Sequence, residues 1–328
     1  MIVRQPGDPV GLFLLPPIAS GHAMTPLAWY RGNTHTHTAV SDGNVPPEQV
    51  AEWYRSHGYD WLVITDHNAF GPAGGPRVEA DGRYLVVPGS EISMSSEDRP
   101  VHVCAVNVRA APEATSMPTI IQSLQAGVDR TRSLGGVPII CHPNWQWAFT
   151  EYHMARVQGW ALFEIFNAST DCNNWSGGGE LGMEERWDRM LSAGLRVFAV
   201  AADDAHAYTG ELRGHVSPPG MGWVTVRARE LTPAAISCAL EAGQFYASTE
   251  IELEDYEVTP DIIRVAIRQH DGYRYTTRFI GLDGITLAER HGTEAIYRRR
   301  GDEPYVRARV WSSNGGHGWC QPVFSERG

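Results

Sequence analysis

Trp61-Leu62-Val63-Ile64-Thr65-Asp66-His67 is the stretch on which the fold turns. Consecutive bulky apolar residues suit a strand buried on both faces, as in a parallel sheet covered by helices. The run then stops at a carboxylate and an imidazole. Just upstream, a helix over 46–57 starts on Pro46-Pro47, where missing N–H groups cost nothing, and ends at Gly58. Downstream the pattern repeats: apolar runs at 84–88, 101–108, 137–141, 161–166, 197–201 and 223–226 alternate with helical stretches at 119–134, 182–193 and 233–242. About seven or eight such units predict an α/β barrel of parallel strands.

After residue 248 the period changes. Alternation at 262–267, 273–279 and 305–310, with turns at Asp271-Gly272 and Asp283-Gly284, predicts a small antiparallel β module over 248–328. The expected organisation is therefore an N-terminal surface arm (1–28), a barrel (29–247) and this module. The apolar run 11–18 is short and broken by Pro16-Pro17, so neither a membrane span nor a signal peptide is expected.

The chain has 328 residues, 42% of them hydrophobic and 20% charged, ordinary values for a soluble domain with a sizeable core. A formal charge of -11 argues against a nucleic-acid-binding surface, which needs clustered Lys and Arg. Five cysteines without CxxC spacing fit neither a disulfide framework nor a thiolate zinc site, and point to a reducing cytoplasm.

The chemistry sits where the apolar runs end. His35-Thr-His37 precedes Ser-Asp42-Gly; the quoted run ends in His67; 84–88 leads to Glu91; 137–141 ends in His142-Pro; 197–202 ends in Asp203-Asp204-Ala-His206. His102 lies within the run 101–106. Residues i and i+2 of an extended strand share a side, so His35 and His37 can meet one ion, as can Asp204 and His206, with Asp203 turned away. Imidazoles and carboxylates without thiolates suit Zn, Mn, Fe or Ni, not Ca or an iron–sulfur cluster. A lone HxH is weak, and a single histidine at a strand end is usually just hydrogen-bonded. Here six of thirteen histidines fall at such places. Burying that many polar groups without partners would cost about 1–3 kcal/mol each, and shared cations remove the cost.

These residues resemble the polymerase and histidinol phosphatase (PHP) superfamily. The likeness runs from Tyr30 to His206 through His35-Thr-His37-Thr, Ser41-Asp42-Gly43, Thr65-Asp66-His67-Asn68, a glutamate after a strand, His142-Pro143 and Asp204-Ala-His206. The phrases at 29–33 and 244–249 and the β-rich tail look closest to its carbaryl-hydrolase-like branch. The resemblance implies a distorted (β/α)7 TIM-like barrel with two or three divalent ions. Carried over, His35, His37, Glu91 and Asp204 would hold one ion, and Glu91 would bridge to a second on His102 and His142. Asp42, His67 and His206 would hold a third; some members have a histidine near the Asp42 position.

A metal lowers the pKa of bound water from 15.7 to about 7, and two ions about 3.5–4 Å apart can clamp attacking and leaving oxygens. The expectation is a phosphoesterase using a metal-bound hydroxide and no protein nucleophile, with Asp204 and His206 catalytic. The substrate is a small molecule, a phosphomonoester or phosphodiester. The same hydroxide could attack a carbamate or carboxylic ester. A non-catalytic metal-binding or scaffold PHP domain is the reading of another class. Asn68, Asn144, Trp145 and Asn167, just beyond strand ends, and Arg213 and His215, in the Gly-rich loop 209–222, are candidate substrate residues. Asn144 could instead cap a helix and Trp145 pack on the rim. Glu164 is expected to hydrogen-bond a ligand histidine, and His57 to interact with the end of its helix.

Overall fold

The structure, a computed structural model, describes residues 26–71, 77–78, 82–210 and 217–325. Most of the expected N-terminal arm (1–28) lies outside the described residues. The described chain opens with strand β1 (Ala28–Asn33), helix α1 (Pro47–Ser56), β2 (Trp61–Ile64) and the short β3 (Arg77–Val78). Next come β4 (Leu85–Ser96), β5 (Arg99–Val106), α2 (Ile120–Ser133), β6 (Val137–Ile140), the single turn α3 (Glu151–Met154) and β7 (Leu162–Asn167). Helix α4 (Met183–Ser192), β8 (Phe198–Ala202), β9 (Trp223–Ala228), α5 (Pro233–Glu241) and β10 (Phe245–Ser248) follow. The rest is strand: β11 (Leu253–Val258), β12 (Ile262–Ile267), β13 (Tyr275–Ile280), β14 (Thr286–His291), β15 (Glu294–Arg298), β16 (Tyr305–Ser312), β17 (His317–Cys320) and β18 (Val323–Phe324).

Helices α1, α2, α4 and α5 lie where the apolar periodicity places them, while the single turn α3 lies outside the expected helices. Thr119 and Thr232 cap α2 and α5 by accepting from the backbone N–H of Gln122 and Ala235. The strand β2 is buried at all four positions. Gly32 lacks a side chain because Trp61 fills that space: a Cβ there would fall 2.0 Å from the indole. No helix among the described residues is long and apolar enough to cross a membrane, and the five cysteines are unpaired.

The expected closed (β/α)7 barrel is corrected. The strands form an open mixed sheet in the order β14-β13-β16-β17-β10-β9-β1-β2-β4-β5-β6-β7-β8, with a separate sheet β11-β12-β15. Among the described strands, only β1-β2-β4 and β6-β7-β8 are parallel runs. β5 is antiparallel to both neighbours, and β9 is antiparallel to β1. The cause at β5 is a tight hairpin. Glu97 and Asp98 both take positive φ (55° and 57°), as a two-residue turn of the strand-matching hand requires. On the other side, β10 pairs with β17 and carries the sheet into the C-terminal antiparallel region.

One further contact positions the site. The segments after β1 and β8 meet through a single parallel bridge, Thr36 with Ala205, and through bonds from His37 N to Ala205 O (2.9 Å) and Asp204 N to His35 O (3.0 Å). The strand ends that carry ligands thus converge, while the main apolar core lies along the sheet beneath them. A second core fills the C-terminal region.

Candidate metal centre

Backbone pairing brings the ligand types together. Asn33, at the end of β1, accepts from His35 N and donates to Gly222 O, fixing the start of the His35–His37 segment. Asp66 binds the other side of that segment, accepting from Thr38 N, Thr38 Oγ1 and Ser41 Oγ at 2.7–2.8 Å. Of the Asp66-His67 pair, the carboxylate therefore shapes the loop and the imidazole faces the cavity. In the β4–β5 hairpin Glu91 pairs with Cys104 and Ser93 with His102, so Glu91 and His102 project from one face. His142 and Asp204 both sit at positive φ (25° and 52°), a backbone region costly for residues with a Cβ and frequent at functional sites.

The result is nine side chains, His35, His37, Asp42, His67, Glu91, His102, His142, Asp204 and His206, in overlapping groups whose ligand atoms lie within 4.8 Å of one another. His35, His37 and Asp204 form one buried group: Asp204 Oδ1 is 3.2 Å from His35 Nε2 and 3.0 Å from His37 Nε2. Glu91 Oε1 meets both His102 Nδ1 (2.9 Å) and His142 Nε2 (3.0 Å). Asp42, His67 and His206 stand at the mouth with His37, and Asp42 is about half exposed. Most of the cluster lines a cavity of about 350 Å³ together with Trp145, Ser169, Asp171, Cys172 and Ser217.

The donor set is short of cations. His35 Nε2 and His37 Nε2 face each other at 3.1 Å, and a neutral pair can place at most one proton between them. Glu91 Oε2 is buried with no hydrogen bond. His67 Nδ1 lies 2.8 Å from it but is aimed at Ser93 Oγ (2.6 Å). Burial would raise the carboxyls of Glu91 and Asp204, yet the surrounding imidazoles hold both well below the usual range. Burial opposes protonation of His35, and the carboxylates of Asp204, Glu91 and Glu164 reverse that. At His37 burial wins and its pKa falls. A buried carboxylate oxygen with no donor, ringed by imidazole nitrogens, fits divalent cations.

Outside the ring of ligands, Glu164 accepts from His35 Nδ1 (2.7 Å), His142 N (2.8 Å) and Asn167 Nδ2 (2.9 Å). It thereby fixes the His35 tautomer with Nε2 free toward the cavity. Asp203 turns away from the cavity, as its strand position requires. It accepts from the backbone of Gly220, Met221 and Gly222 and from Tyr54 Oη. Burial pushes Asp203 up to about 6 despite these donors. Two thiols also approach His35, Cys104 and Cys141, with Cys104 N donating to Cys141 Sγ at 3.1 Å. Burial raises Cys104 to about 12, so it is a neutral thiol. Their spacing of 37 residues hides a contact that only the β5–β6 ladder creates.

The candidate substrate residues divide. Trp145 lines the cavity. Asn167 is buried and donates to Glu164 and Asp204, so it braces a ligand. Asn68 is tied to β4 through both ends of its amide. Asn144 caps no helix: it donates to Asn173 O and Leu181 O and accepts from Arg186 Nε, joining the 168–182 loop to α4. Arg213 and His215 lie outside the described residues. His57 stacks on Trp53 and reaches Trp53 O (2.6 Å) at the end of α1. Asp171, Ser169 and Ser217 were not singled out by sequence; they are ordinary loop residues that long-range folding brings to the cavity.

No protein-family model matches the chain, and no curated protein matches it. Among solved structures it is similar to a two-domain protein of Bacteroides vulgatus containing a predicted PHP-like metal-dependent phosphoesterase. That match has 15% identity and a TM-score of 0.50, over 87% of this chain and 90% of that one. A predicted metal-dependent phosphoesterase of Bifidobacterium adolescentis (14% identity, TM-score 0.40) covers 57% of this chain and 92% of its own. An amidohydrolase of Chromobacterium violaceum (15%, 0.39) covers 57% and 93%. The chain shares its fold with the Bacteroides vulgatus protein.

Proposed function

We propose that this chain is a metal-dependent phosphoesterase that hydrolyses a phosphomonoester or phosphodiester with two or three divalent ions, Zn, Mn or Fe. The observation that carries the reading is the convergence of six imidazoles and three carboxylates on one cavity, with Glu91 Oε2 left without a donor. His35, His37, Glu91 and Asp204 would hold one ion. Glu91, His102 and His142 would hold a second, and Asp42, His67 and His206 a third. When bound, such ions supply Lewis acidity and make water a stronger acid.

The protein's own part is orientation. Glu164 and Ser93 engage the outward nitrogens of His35 and His67. His206 Nδ1 donates to Asp204 O (2.7 Å), which turns Nε2 toward Asp42. In the reaction, water oxygen bonds to phosphorus as the bond to the alcohol oxygen breaks. Asp204 and His206 would orient that water and pass its proton to the departing alcohol oxygen. The cavity would serve a carbamate or carboxylic ester equally well in shape. The PHP-like fold favours phosphorus, while kinship to the carbaryl-hydrolase-like branch rests on the phrases at 29–33 and 244–249. A cytoplasmic location suits five unpaired thiols.

The test is to purify the protein without chelator, measure metal per chain, and assay phosphomonoesters, phosphodiesters and aryl carbamates with Mn, Zn and Fe. Fewer than two equivalents of metal would sink the multinuclear centre, and turnover of carbamates alone would overturn the substrate class. His142→Ala is expected to abolish turnover in a folded protein; retained activity removes His142 from the ligand set.

A further inference from the structure

Strand β7 carries an irregularity that the ligand motifs do not explain. Glu164 pairs with Val200 of β8, but the next pairing joins Phe166 to Ala201, so Ile165 is an extra residue. In a regular strand, residues 164 and 167 would point to opposite faces. A bulge re-aims the chain that follows it. Glu164 and Asn167 accordingly meet on the ligand side, where Asn167 Nδ2 donates to Glu164 Oε2 at 2.9 Å.

Asn167 is buried, and its amide is bonded at both ends. Oδ1 accepts from Ser169 N (2.9 Å), which fixes Nδ2 as the end facing the carboxylates. The second hydrogen of Nδ2 goes to Asp204 Oδ2 (3.1 Å). Asn174 holds the Asn167 backbone from both sides, accepting from its N–H (2.9 Å) and donating to its carbonyl (2.8 Å). The two oxygens of Asp204 therefore have different partners. Oδ1 stands 3.2 and 3.0 Å from Nε2 of His35 and His37, while Oδ2 is held by an oriented amide. Turning Oδ2 onto the same ion would draw it away from that donor. One oxygen from Asp204, one from Glu91 and two imidazoles make four protein atoms, a number that suits zinc, whereas manganese prefers six ligands. Resting on the metal centre proposed above, we infer that Asn167 is a positioning residue that keeps Asp204 to one-oxygen binding and biases this ion site toward Zn over Mn.

Two measurements on the full chain test this. The first titrates Zn and Mn separately against a competing fluorescent chelator, in the wild type and in Asn167→Ala. Freeing Oδ2 is expected to lower the Zn-to-Mn affinity ratio about tenfold at one site, the scale on which outer partners change metal affinity. An unchanged ratio, or an equal loss for both ions, reduces Asn167 to a packing role and overturns the inference. The second needs no variant to fold: a crystal structure of the Mn-loaded wild type. One Asp204 oxygen is expected on the ion shared with His35 and His37, with Asn167 Nδ2 still on the other. Both oxygens on that ion overturn the inference. Neither readout depends on turnover. A shifted ratio without hydrolysis of any phosphate ester keeps Asn167 in this role and sinks the phosphoesterase; hydrolysis with an unshifted ratio sinks this inference alone. A wild type that binds neither ion sinks both.

Discussion

Two clusters of buried carboxylates among the described residues are built differently. Between α4 and β16, Arg307 is almost wholly buried and meets Asp188 through two bonds of 2.7 Å and Glu184 through one of 2.9 Å; Arg309 adds a contact to Glu184 at 2.8 Å. Both acids face guanidiniums: Asp188 takes the fork of Arg307, and Glu184 takes one bond from each arginine. In the histidine cluster Glu91 and Asp204 are as deeply placed, yet their neighbours are imidazoles that carry no fixed charge, and one Glu91 oxygen has no donor. A buried acid cluster closed by arginine joins two parts of a fold. One left open toward cations is a site.

The largest way to break this contrast is Arg307→Met. It strands Asp188 without a partner, leaves Glu184 only the Arg309 guanidinium, and should cost about 3–5 kcal/mol in urea unfolding. Stability equal to wild type would mean that the pair is not closed as described. In the histidine cluster the telling effect depends on metal. Glu91→Gln removes a carboxylate that the surrounding imidazoles hold ionised, so the metal-free variant should lose some stability at neutral pH. Adding Mn or Zn to about 100 times Kd should raise wild-type stability by about 2.7 kcal/mol per site and leave Glu91→Gln nearly unmoved. Equal metal-induced shifts in both proteins would exclude Glu91 as a ligand.

A finer test is Glu164→Gln. Loss of the carboxylate that orients His35 should weaken metal binding by about 10–100-fold in a titration, with the fold intact. Unchanged affinity would reduce Glu164 to a packing role. The smallest effect concerns His317, in the C-terminal region. Burial, with Arg309 adding to it, pulls its pKa from 6.5 to about 4. Between those values the unfolded chain takes up a proton that the folded chain refuses. Stability is therefore full above 6.5 and falls as pH drops toward 4. His317→Gln should flatten that slope in a pH series of melting temperatures; an unchanged slope assigns it to other groups.

How much of this was legible depends on range. Most of the ligand residues could be read because they stand beside apolar runs, where a covered sheet exposes side chains at its strand ends; Glu91 and His102 instead lie inside β4 and β5. The hairpin could not. Glu97-Asp98 lacks the Asn-Gly signature of its turn, so the first strand read as ending at residue 88 when β4 continues to Ser96. That hairpin reverses β5 and replaces the parallel barrel with an open mixed sheet. Asn144 misled for a related reason: its position after β6 suggested the cavity or a helix cap, while its partners lie 29 to 42 residues away.

Local pattern by itself determined the alternation of strands and helices, the antiparallel C-terminal region and which imidazoles and carboxylates stand at strand ends, because periodicity and caps act over a few residues. Only tertiary structure decided which strands run antiparallel and that His35 and His37 meet Asp204. It alone decided that Asp66 shapes a loop while His67 faces the cavity, and that Glu164 and Asn167 meet on one side of β7. Those outcomes depend on pairing and burial between segments far apart in sequence, where a side chain's role follows from the partners that the rest of the chain delivers.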